Sequence, residues 1–287
     1  MQDTLIILNP AARGERACHF RERVEALAGD SVIQPTTRVG EAEGIARAAA
    51  REGYHKIVAA GGDGTIHEVV NGLAGTEAAL GVLPMGTMNV FAAELGLPAG
   101  NLERCWDIIR AGWVRSVDLP RVNGRRFVQL AGVGLDAQAV KETSQALKRS
   151  FGPLSYIISA AQIASRPPPR LMIESDDAVA TEASFVLVGN GRRYGGPFPF
   201  FKRAHIDDGL LDVVLFKRLG YFDIIHYLQE VIFSHSISGS EVEYLQTRRL
   251  QVTSEDEVPV EADGELIGCC PVEFEVQERG LRVLTEA

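Results

Sequence analysis

A glycine-rich turn with a single carboxylate is the segment of this sequence best suited to chemistry. Residues 61–65, Gly-Gly-Asp-Gly-Thr, follow an apolar run that predicts a strand and precede a pattern that predicts a helix from about Ile66. Glycines let the main chain approach phosphate oxygens closely, and the free N–H groups at the start of a helix attract anions. Asp63 would then position Mg²⁺ or bond a hydroxyl. A plain turn capped by Asp63 is the alternative, which the paired glycines disfavour.

Two more loops follow predicted strands in the same way. Residues 9–14, Asn-Pro-Ala-Ala-Arg-Gly, come after the first strand, and residues 83–89, Leu-Pro-Met-Gly-Thr-Met-Asn, end a later one. In the later loop the Thr87 hydroxyl can bond phosphate, and Asn89 can cap a helix or bond a nucleotide. Each loop alone is also explained as an ordinary turn or cap. Because ligands of open α/β sheets bind at the carboxyl ends of the strands, the three loops are expected to converge on one cleft.

The second half of the chain contains two acidic segments. Residues 205–212, His-Ile-Asp-Asp-Gly-Leu-Leu-Asp, combine carboxylates with a turn whose carbonyls suit a hard cation, although a solvated hairpin is the simpler interpretation. Residues 261–265, Glu-Ala-Asp-Gly-Glu, place Asp263 and Glu265 two positions apart. Such a pair can contain a general base, and a charged hairpin tip is the alternative.

The elements that position these residues differ between the two halves. The first part alternates short apolar strands with helical patterns, which predicts a parallel sheet covered by helices on both faces. After Asp118 many short β-like runs follow, which predicts a mostly antiparallel sandwich or barrel. We therefore expect an α/β domain over residues 1–118, a β-rich domain over 119–280, a nucleotide cleft between them, and a last strand at about 281–287 that returns to the first domain.

Composition limits the function classes. The 287 residues are 46% hydrophobic and 23% charged, and the formal net charge of −9 argues against nucleic acid as the main partner. The four cysteines lack metal-ligand spacing, which favours reduced thiols in the cytosol. No run reaches the roughly 18 apolar residues of a membrane span. We expect a soluble cytoplasmic protein whose membrane contact is peripheral and transient; a homodimer is compatible with the sequence.

One stretch, from Gln138 to Arg170, is positively charged, whereas the chain as a whole is acidic. It contains five Lys or Arg residues and one Glu, with apolar residues such as Phe151 and Ile157 between them. Apolar side chains flanked by basic ones suit the headgroup boundary of a membrane, so this stretch is the predicted membrane-docking segment. A buried helix with a solvated basic end is the alternative interpretation.

The order of the motifs resembles the diacylglycerol kinase catalytic family, in particular its small soluble bacterial lipid kinases, to which sphingosine and ceramide kinases are similar. The likeness covers nearly the whole chain. It includes the loop at 9–14, Thr36 four residues before Gly40, the loop at 61–67 and Thr87. It continues with Gly-Asn-Gly at 189–191, Tyr-Gly-Gly at 194–196, and the turns at 208–212 and 263–265. The sequence departs from the family pattern at His67, where Asn is common, and at Val90, where Asp is common.

The resemblance implies an ATP- and Mg²⁺-dependent kinase that phosphorylates a hydroxyl of a membrane lipid such as diacylglycerol. Its implied catalytic residues are Glu265, the better candidate for the base, Asp263 and Asp63. Its implied metal site combines the Asp208 side chain with the main-chain carbonyls of His205 and Leu210. The implied nucleotide-binding residues are Asn9, Pro10, Gly14, Thr36, Gly61, Gly62, Asp63, Gly64, Thr65, Ile66, His67, Glu68, Gly86, Thr87 and Asn89.

Two other functions are considered. An NAD kinase resembles the chain at Gly-Gly-Asp-Gly-Thr, but the loop at residues 9–14 and the late Asp-Gly-Glu favour a lipid kinase. A non-catalytic nucleotide sensor is the other, and the intact acids at positions 63, 208, 263 and 265 argue against it.

Overall fold

The computed structural model describes residues 3–10, 17–135, 137–138, 168–176, 178–194, 198–217, 220, 223, 226 and 240–287. Gly14 and nearly all of the predicted membrane-docking segment lie outside these residues. The chain divides into two compact units, one formed by residues 1–119 with 278–287 and the other by residues 120–277. None of the helices within the described ranges is both long and apolar enough to cross a membrane.

The first unit is a helix-covered sheet of six strands in the order β2-β1-β3-β4-β20-β5. All neighbouring pairs are parallel except β20 with β5. The strands are β1 (Thr4–Leu8), β2 (Val32–Pro35), β3 (Lys56–Gly61), β4 (Ala79–Pro84), β5 (Val114–Val117) and, from the far end of the chain, β20 (Leu281–Leu284). The helices are α1 (Ala17–Ala28), α2 (Glu41–Arg51), α3 (Asp63–Leu73), α4 (Val90–Glu94) and α5 (Leu102–Ala111).

Sequence patterns explain why these elements form. The inner strands β1, β3 and β4 are nearly continuous apolar runs, as strands buried on both faces require. Helix α2 buries Ala42, Ile45, Ala46 and Ala49, which lie on one face at helical spacing. Helix α5 begins where the Asn101 side chain accepts a hydrogen bond from the Arg104 N–H (2.9 Å).

The second unit contains two six-stranded sheets built from antiparallel pairs. One has the order β10-β9-β16-β19-β6-β7 and the other β15-β14-β11-β8-β17-β18, and β12 pairs with β13. The strands are β6 (Arg121–Val122), β7 (Arg125–Arg126), β8 (Leu130–Val133), β9 (Leu171–Ser175), β10 (Ala178–Ala183), β11 (Phe185–Gly189), β12 (Arg193–Tyr194), β13 (Phe198–Pro199), β14 (Leu211–Phe216), β15 (Val242–Thr247), β16 (Arg249–Thr253), β17 (Pro259–Ala262), β18 (Glu265–Cys269) and β19 (Val272–Glu275).

The two large sheets of this unit share one hydrophobic core. Ile173, Val252 and Phe274 from the first sheet belong to the same buried cluster as Val186 and Val213 from the second. Alternate residues along each strand enter the cluster, which is the pattern of a sandwich with one buried face per sheet. The predicted fold class, an α/β domain followed by an antiparallel sandwich, is confirmed.

Candidate active site

Three loops of the first unit meet at one edge of its sheet. Since β1, β3 and β4 are parallel neighbours, the loops that follow them leave from the same edge. The main-chain N–H of Asn9 donates to the Ala60 carbonyl (2.9 Å), and that of Met85 donates to the Gly61 carbonyl (2.7 Å). The three predicted loops therefore begin side by side.

Glycines allow the second and third of these loops to touch. A Cβ atom on Gly86 would lie 2.7 Å from the Gly62 Cα, and one on Gly62 would lie 3.2 Å from the Gly86 Cα. A Cβ atom on Gly61 would lie 2.4 Å from the Thr65 Oγ1. These glycines are needed because two main chains and a hydroxyl occupy the space that a side chain would fill.

The first loop is tied to the second through Thr65. The Asn9 side-chain Nδ2 donates to the Thr65 Oγ1 (2.9 Å) across the sheet edge. Helix α3 begins at Asp63, and its N-cap residue is Gly62, which has no side chain to cap the helix. The positive end of the helix dipole and the first N–H groups of α3 consequently lie among the three loops, an arrangement suited to phosphate.

Asp63 lies at the start of α3 and is partly exposed. Its Oδ1 is 3.5 Å from the Phe91 main-chain N, at the long limit of a hydrogen bond. Thr87, at the tip of the third loop, is exposed. A partly exposed carboxylate and an exposed hydroxyl thus lie on the loops that meet at the start of α3.

Asn89 shapes the third loop. It is buried and has a left-handed conformation with φ of 50°. Its Oδ1 accepts the Gly86 N–H (2.8 Å), and its Nδ2 donates to the Gly86 carbonyl (2.9 Å). Both polar groups of the side chain bind Gly86, so Asn89 closes this loop.

The residues that follow the central loop are buried. The side chains of Ile66 and His67 are fully buried, so any contact from these two residues to a nucleotide would come from their main chain. Glu68 is buried as well and points towards α2: its Oε1 accepts the Gly40 N–H and its Oε2 accepts the Ala42 N–H, both at 2.9 Å. The resemblance to the family is the basis on which these three residues were predicted to bind nucleotide.

Thr36 lies at the same edge of the sheet, just after β2. It is buried, and its N–H donates to the Leu8 carbonyl at the end of β1 (2.8 Å). This hydrogen bond places Thr36 directly beside the start of the first loop. Pro10, in that loop, is exposed.

In the second unit, the predicted acidic turn joins β17 to β18. Asp263 and Gly264 have φ of 48° and 83°, the left-handed pair of a two-residue hairpin turn. The carboxylate of Asp263 accepts the N–H groups of Val128 (2.8 Å), Gln129 (3.0 Å) and Leu130 (3.2 Å). Both oxygens of Asp263 therefore bind the main chain of another segment.

Glu265, at the start of β18, is in a different environment. Its carboxylate is partly exposed and lies 4.0 Å from the Arg125 guanidinium of β7. Glu261 is buried, and its Oε2 accepts the Gly264 N–H (2.8 Å). Glu265 therefore lies partly exposed beside an arginine, whereas Glu261 is buried within the turn.

Two buried amides support the segment that binds Asp263, and neither was among the predicted site residues. Asn190 donates from Nδ2 to the Val128 carbonyl (3.0 Å), and Gln129 donates from Nε2 to the Arg193 carbonyl (2.9 Å). Arg125, which faces Glu265, was also missed. In the sequence these three residues are visible only as polar residues within or beside predicted strands. That pattern does not identify a function.

The predicted metal turn places its three residues close in sequence and space. The Asp208 Oδ1 accepts the Leu210 N–H (3.0 Å), and the Asp208 N–H donates to the His205 carbonyl (3.4 Å). Asp208 is exposed. A carboxylate and main-chain carbonyls are hard oxygen donors, which fits Mg²⁺. Within the described ranges no group of three His, Cys, Asp or Glu residues could hold a metal by side chains alone.

A buried acid follows this turn. Asp212 lies in β14, and burial raises its pKa to about 6, while the Tyr244 hydroxyl, which donates to Asp212, partly opposes the shift. The same burial, together with the bond to Asp212, raises the pKa of Tyr244. The pair lies behind the Asp208 turn and joins β14 to β15.

Comparison with known proteins identifies the family. Residues 3–122 match the model of the diacylglycerol kinase catalytic domain, and residues 129–285 match that of the YegS C-terminal NAD kinase beta sandwich-like domain. A Bacillus subtilis (strain 168) protein named diacylglycerol kinase is 30% identical over 282 residues, covering 96% of this chain and 93% of that protein. The chain belongs to the diacylglycerol kinase family.

Other relatives agree with this membership. A Chromohalobacter salexigens protein named "Probable lipid kinase YegS-like" is 31% identical and covers 92% of the chain and 86% of its own length. A crystal structure of a Bacillus anthracis str. Sterne protein assigned as a diacylglycerol kinase superposes with a TM-score of 0.83 at 26% identity, covering 99% of this chain and 97% of that one.

Membership makes the protein a kinase of the lipid kinase class, with ATP as its phosphoryl donor. The second unit shares its sandwich type with NAD kinases, as the name of its matching model states. The full-length relatives given above are named as diacylglycerol or lipid kinases, so the NAD kinase alternative is not favoured.

Proposed function

We propose that this diacylglycerol kinase family member transfers the γ-phosphoryl group of ATP to a hydroxyl of a membrane lipid such as diacylglycerol. The observation that carries the proposal is the meeting of three loops at the uncapped start of α3, two of which touch through glycines. Phosphoryl transfer depends mainly on positioning and on charge stabilisation, and this arrangement supplies both to a phosphate chain.

ATP is proposed to bind at this edge of the first sheet. The N–H groups at the start of α3 and the main chain of residues 61–64 would surround the phosphates. Asn9, Thr36, Thr65 and Thr87 would add polar contacts from the adjoining loops. Asn9 and Thr65 already hold one another at 2.9 Å, so part of the site is organised in advance.

Mg²⁺ is proposed to act with ATP, and bound there it would neutralise the charge that develops on the phosphate oxygens. Asp63 is the residue proposed to hold it, directly or through water. A second Mg²⁺ is proposed at Asp208 with the carbonyls of His205 and Leu210. This second site would stabilise the turn rather than take part in the reaction.

The general base is proposed to be Glu265. It would accept the proton of the lipid hydroxyl as that oxygen attacks the γ-phosphorus. Asp263 is unsuited to this task because its oxygens accept three main-chain N–H groups. Removing it would release the segment at 128–130 rather than remove a proton acceptor.

The acceptor resides in a membrane, so we propose that the protein works at a membrane surface by peripheral and transient contact. Residues 138–170 remain the predicted docking segment. Lys148 and Arg149 lie in this segment, and replacing both by Glu should weaken sedimentation with anionic vesicles. The proposal of membrane contact therefore has a test of its own, apart from turnover.

A radiolabelled transfer assay tests the function. The full chain would be incubated with γ-labelled ATP, Mg²⁺ and mixed micelles that contain diacylglycerol, phosphatidylglycerol or a sphingoid base, with NAD in a parallel reaction. Labelled phosphatidic acid, identified by mass spectrometry, is the expected product with diacylglycerol. Asp63→Ala should remove it. Label in NADP alone would refute the proposal, and ATP binding without transfer to any lipid would indicate a sensor.

A further inference from the structure

Glu68 links the helix of the phosphate loop to the beginning of α2. It lies on α3, five residues after Asp63, and is 8% exposed. Its two oxygens accept the N–H groups of Gly40 and Ala42, each at 2.9 Å. One carboxylate therefore satisfies two N–H groups at the start of a neighbouring helix, where negative charge is also favoured by the dipole of that helix.

The start of α2 has no cap from its own N-cap residue. That residue is Gly40, which has a left-handed conformation with φ of 85° and makes no side-chain hydrogen bond. Glu41 turns back instead, and its Oε2 accepts the N–H (2.6 Å) and the hydroxyl (2.9 Å) of Thr37. Glu68 therefore supplies from α3 the acceptor that a Ser or Asp at position 40 would otherwise supply.

A close helix contact keeps Glu68 within reach of α2. A Cβ atom on Gly72, one turn further along α3, would lie 2.4 Å from the Glu43 carbonyl and 2.7 Å from the Ala46 Cβ. Only glycine allows this approach. The two helices are consequently fixed to one another at both Glu68 and Gly72.

These contacts define a segment with two anchors, residues 36–40, which we name the Thr36 segment. Its first anchor is the hydrogen bond from the Thr36 N–H to the Leu8 carbonyl (2.8 Å), and its second is the bond from the Gly40 N–H to Glu68. Between them Val39 is 87% exposed, and Thr37 and Arg38 are exposed too. With so little burial in the middle, the position of the segment depends on hydrogen bonds: these two at its ends and those from Thr37 to Glu41.

We infer that Glu68 is a positioning residue for ATP: it holds the Thr36 segment in register with the phosphate loop at the start of α3. The inference rests on the proposed function. The carboxylate of Glu68 itself is turned towards α2. Helix α3 presents its N-terminus to phosphate and, through Glu68, also holds the end of the Thr36 segment. The phosphate loop and the Thr36 segment therefore keep a fixed position relative to one another.

Glu68→Gln is the decisive variant because it preserves size while disrupting the link. A carboxamide has one oxygen for one N–H group, and its NH₂ then faces the other N–H as donor against donor. Glu68→Asp is the second variant, which keeps both oxygens but draws them back by one methylene. Two controls accompany them: Glu25→Gln, an equal loss of charge in an exposed α1 pair with Arg21, and Ile109→Val, a core change in α5.

Two measurements separate positioning from general stability. Amide hydrogen exchange of the peptide covering residues 36–42, without nucleotide, should quicken in Glu68→Gln and remain unchanged in both controls. Calorimetric titration with Mg²⁺–ATP should give a Kd about tenfold higher for Glu68→Gln, the factor that about 1.4 kcal/mol produces. The Kd of Glu68→Asp should lie between those of the wild type and Glu68→Gln. Ile109→Val should lower the melting temperature without changing the Kd.

The outcomes distinguish this inference from the proposed function. Suppose the wild type phosphorylates lipid, and Glu68→Gln matches it both in ATP affinity and in amide exchange of residues 36–42. That result would overturn the positioning role of Glu68 and leave the proposed function intact. An equal rise in Kd for Ile109→Val would reduce Glu68 to a general structural residue. A wild type that binds ATP but modifies no lipid would refute the function, while the titrations would still decide the role of Glu68. A wild type that binds no ATP overturns both.

Discussion

Asp263→Asn should destabilise the protein without removing its chemistry, which reverses the usual expectation for an acid in a kinase turn. In the structure the Oδ2 of Asp263 accepts the Val128 N–H, and its Oδ1 accepts those of Gln129 and Leu130. An asparagine oxygen in the place of Oδ1 keeps two of these bonds. Its NH₂ then faces the Val128 N–H, and one charge-assisted bond is lost.

The magnitude follows from that count of bonds. Loss of a hydrogen bond to a charged group costs about 1.5–3 kcal/mol. Asn tolerates the left-handed φ of 48° at this position, so the turn itself should add little. A unit of this size loses roughly 2–4 °C of melting temperature per kcal/mol, which predicts a decrease of about 5 °C for the second unit. The kcat below that temperature should change less than about tenfold.

Glu265→Gln provides the matched comparison from the same turn. It should leave the melting temperature almost unchanged, because a half-exposed pair with Arg125 at 4.0 Å contributes little. Its kcat should fall about 10²–10⁴-fold, the usual loss for a general base, with a small change in the KM for ATP. Steady-state transfer to diacylglycerol and thermal melting of both variants would test the pair. An inactive Asp263→Asn with an unchanged melting temperature, beside an active Glu265→Gln, would refute the reasoning.

Three further predictions concern single sites. Asp63→Asn should lower kcat at least about 100-fold with no loss of melting temperature, and a wild-type kcat at saturating Mg²⁺ would remove Asp63 from the metal site. Mg²⁺ should raise the melting temperature of the wild type more than that of Asp208→Ala, since a cation bound only to the folded state stabilises it; equal shifts would disprove a site there. Burial raises the pKa of the Cys105 thiol from 9.0 to about 11. As the pH rises, the thiol therefore loses its proton in the unfolded chain before it does so in the folded protein, and the free energy of unfolding should fall between pH 9 and 11. Urea titrations at pH 8 and 10.5 would measure this fall, which should be smaller in Cys105→Ala.

The fold was predictable wherever hydrophobic pattern decides structure. The apolar runs at residues 4–8, 32–35 and 56–60, each of which has the pattern of a strand, form β1, β2 and β3, and β3 continues one residue further to Gly61. The order of the strands in the sheet was harder to predict from the sequence. Strand β5 is antiparallel to β20 at one edge, a pairing that depends on tertiary contacts and leaves no local pattern.

The candidate site was predictable at the level of loops and less so at the level of side chains. Gly61, Gly62 and Gly86 lie where the pattern placed them, because close approach of main chains demands glycine. Glu68 and Asn89 were assigned to the nucleotide by motif, whereas their polar atoms bind the protein itself. A sequence gives the residue type but not the direction of its side chain. Nothing in the spacing shows that Glu68 faces α2.

The position of β20 has a consequence for how the chain is made. This strand lies between β4 and β5 in the first sheet, yet Arg282 pairs with Ala79, about 200 residues earlier in the chain. On the ribosome, the first unit cannot close its sheet until the whole second unit has been synthesised. Until then the flank of β4 is an unpaired strand edge, open to wrong partners. We expect nascent chains that stop before Leu281 to bind chaperones and to aggregate, even though most residues of the first unit are already present.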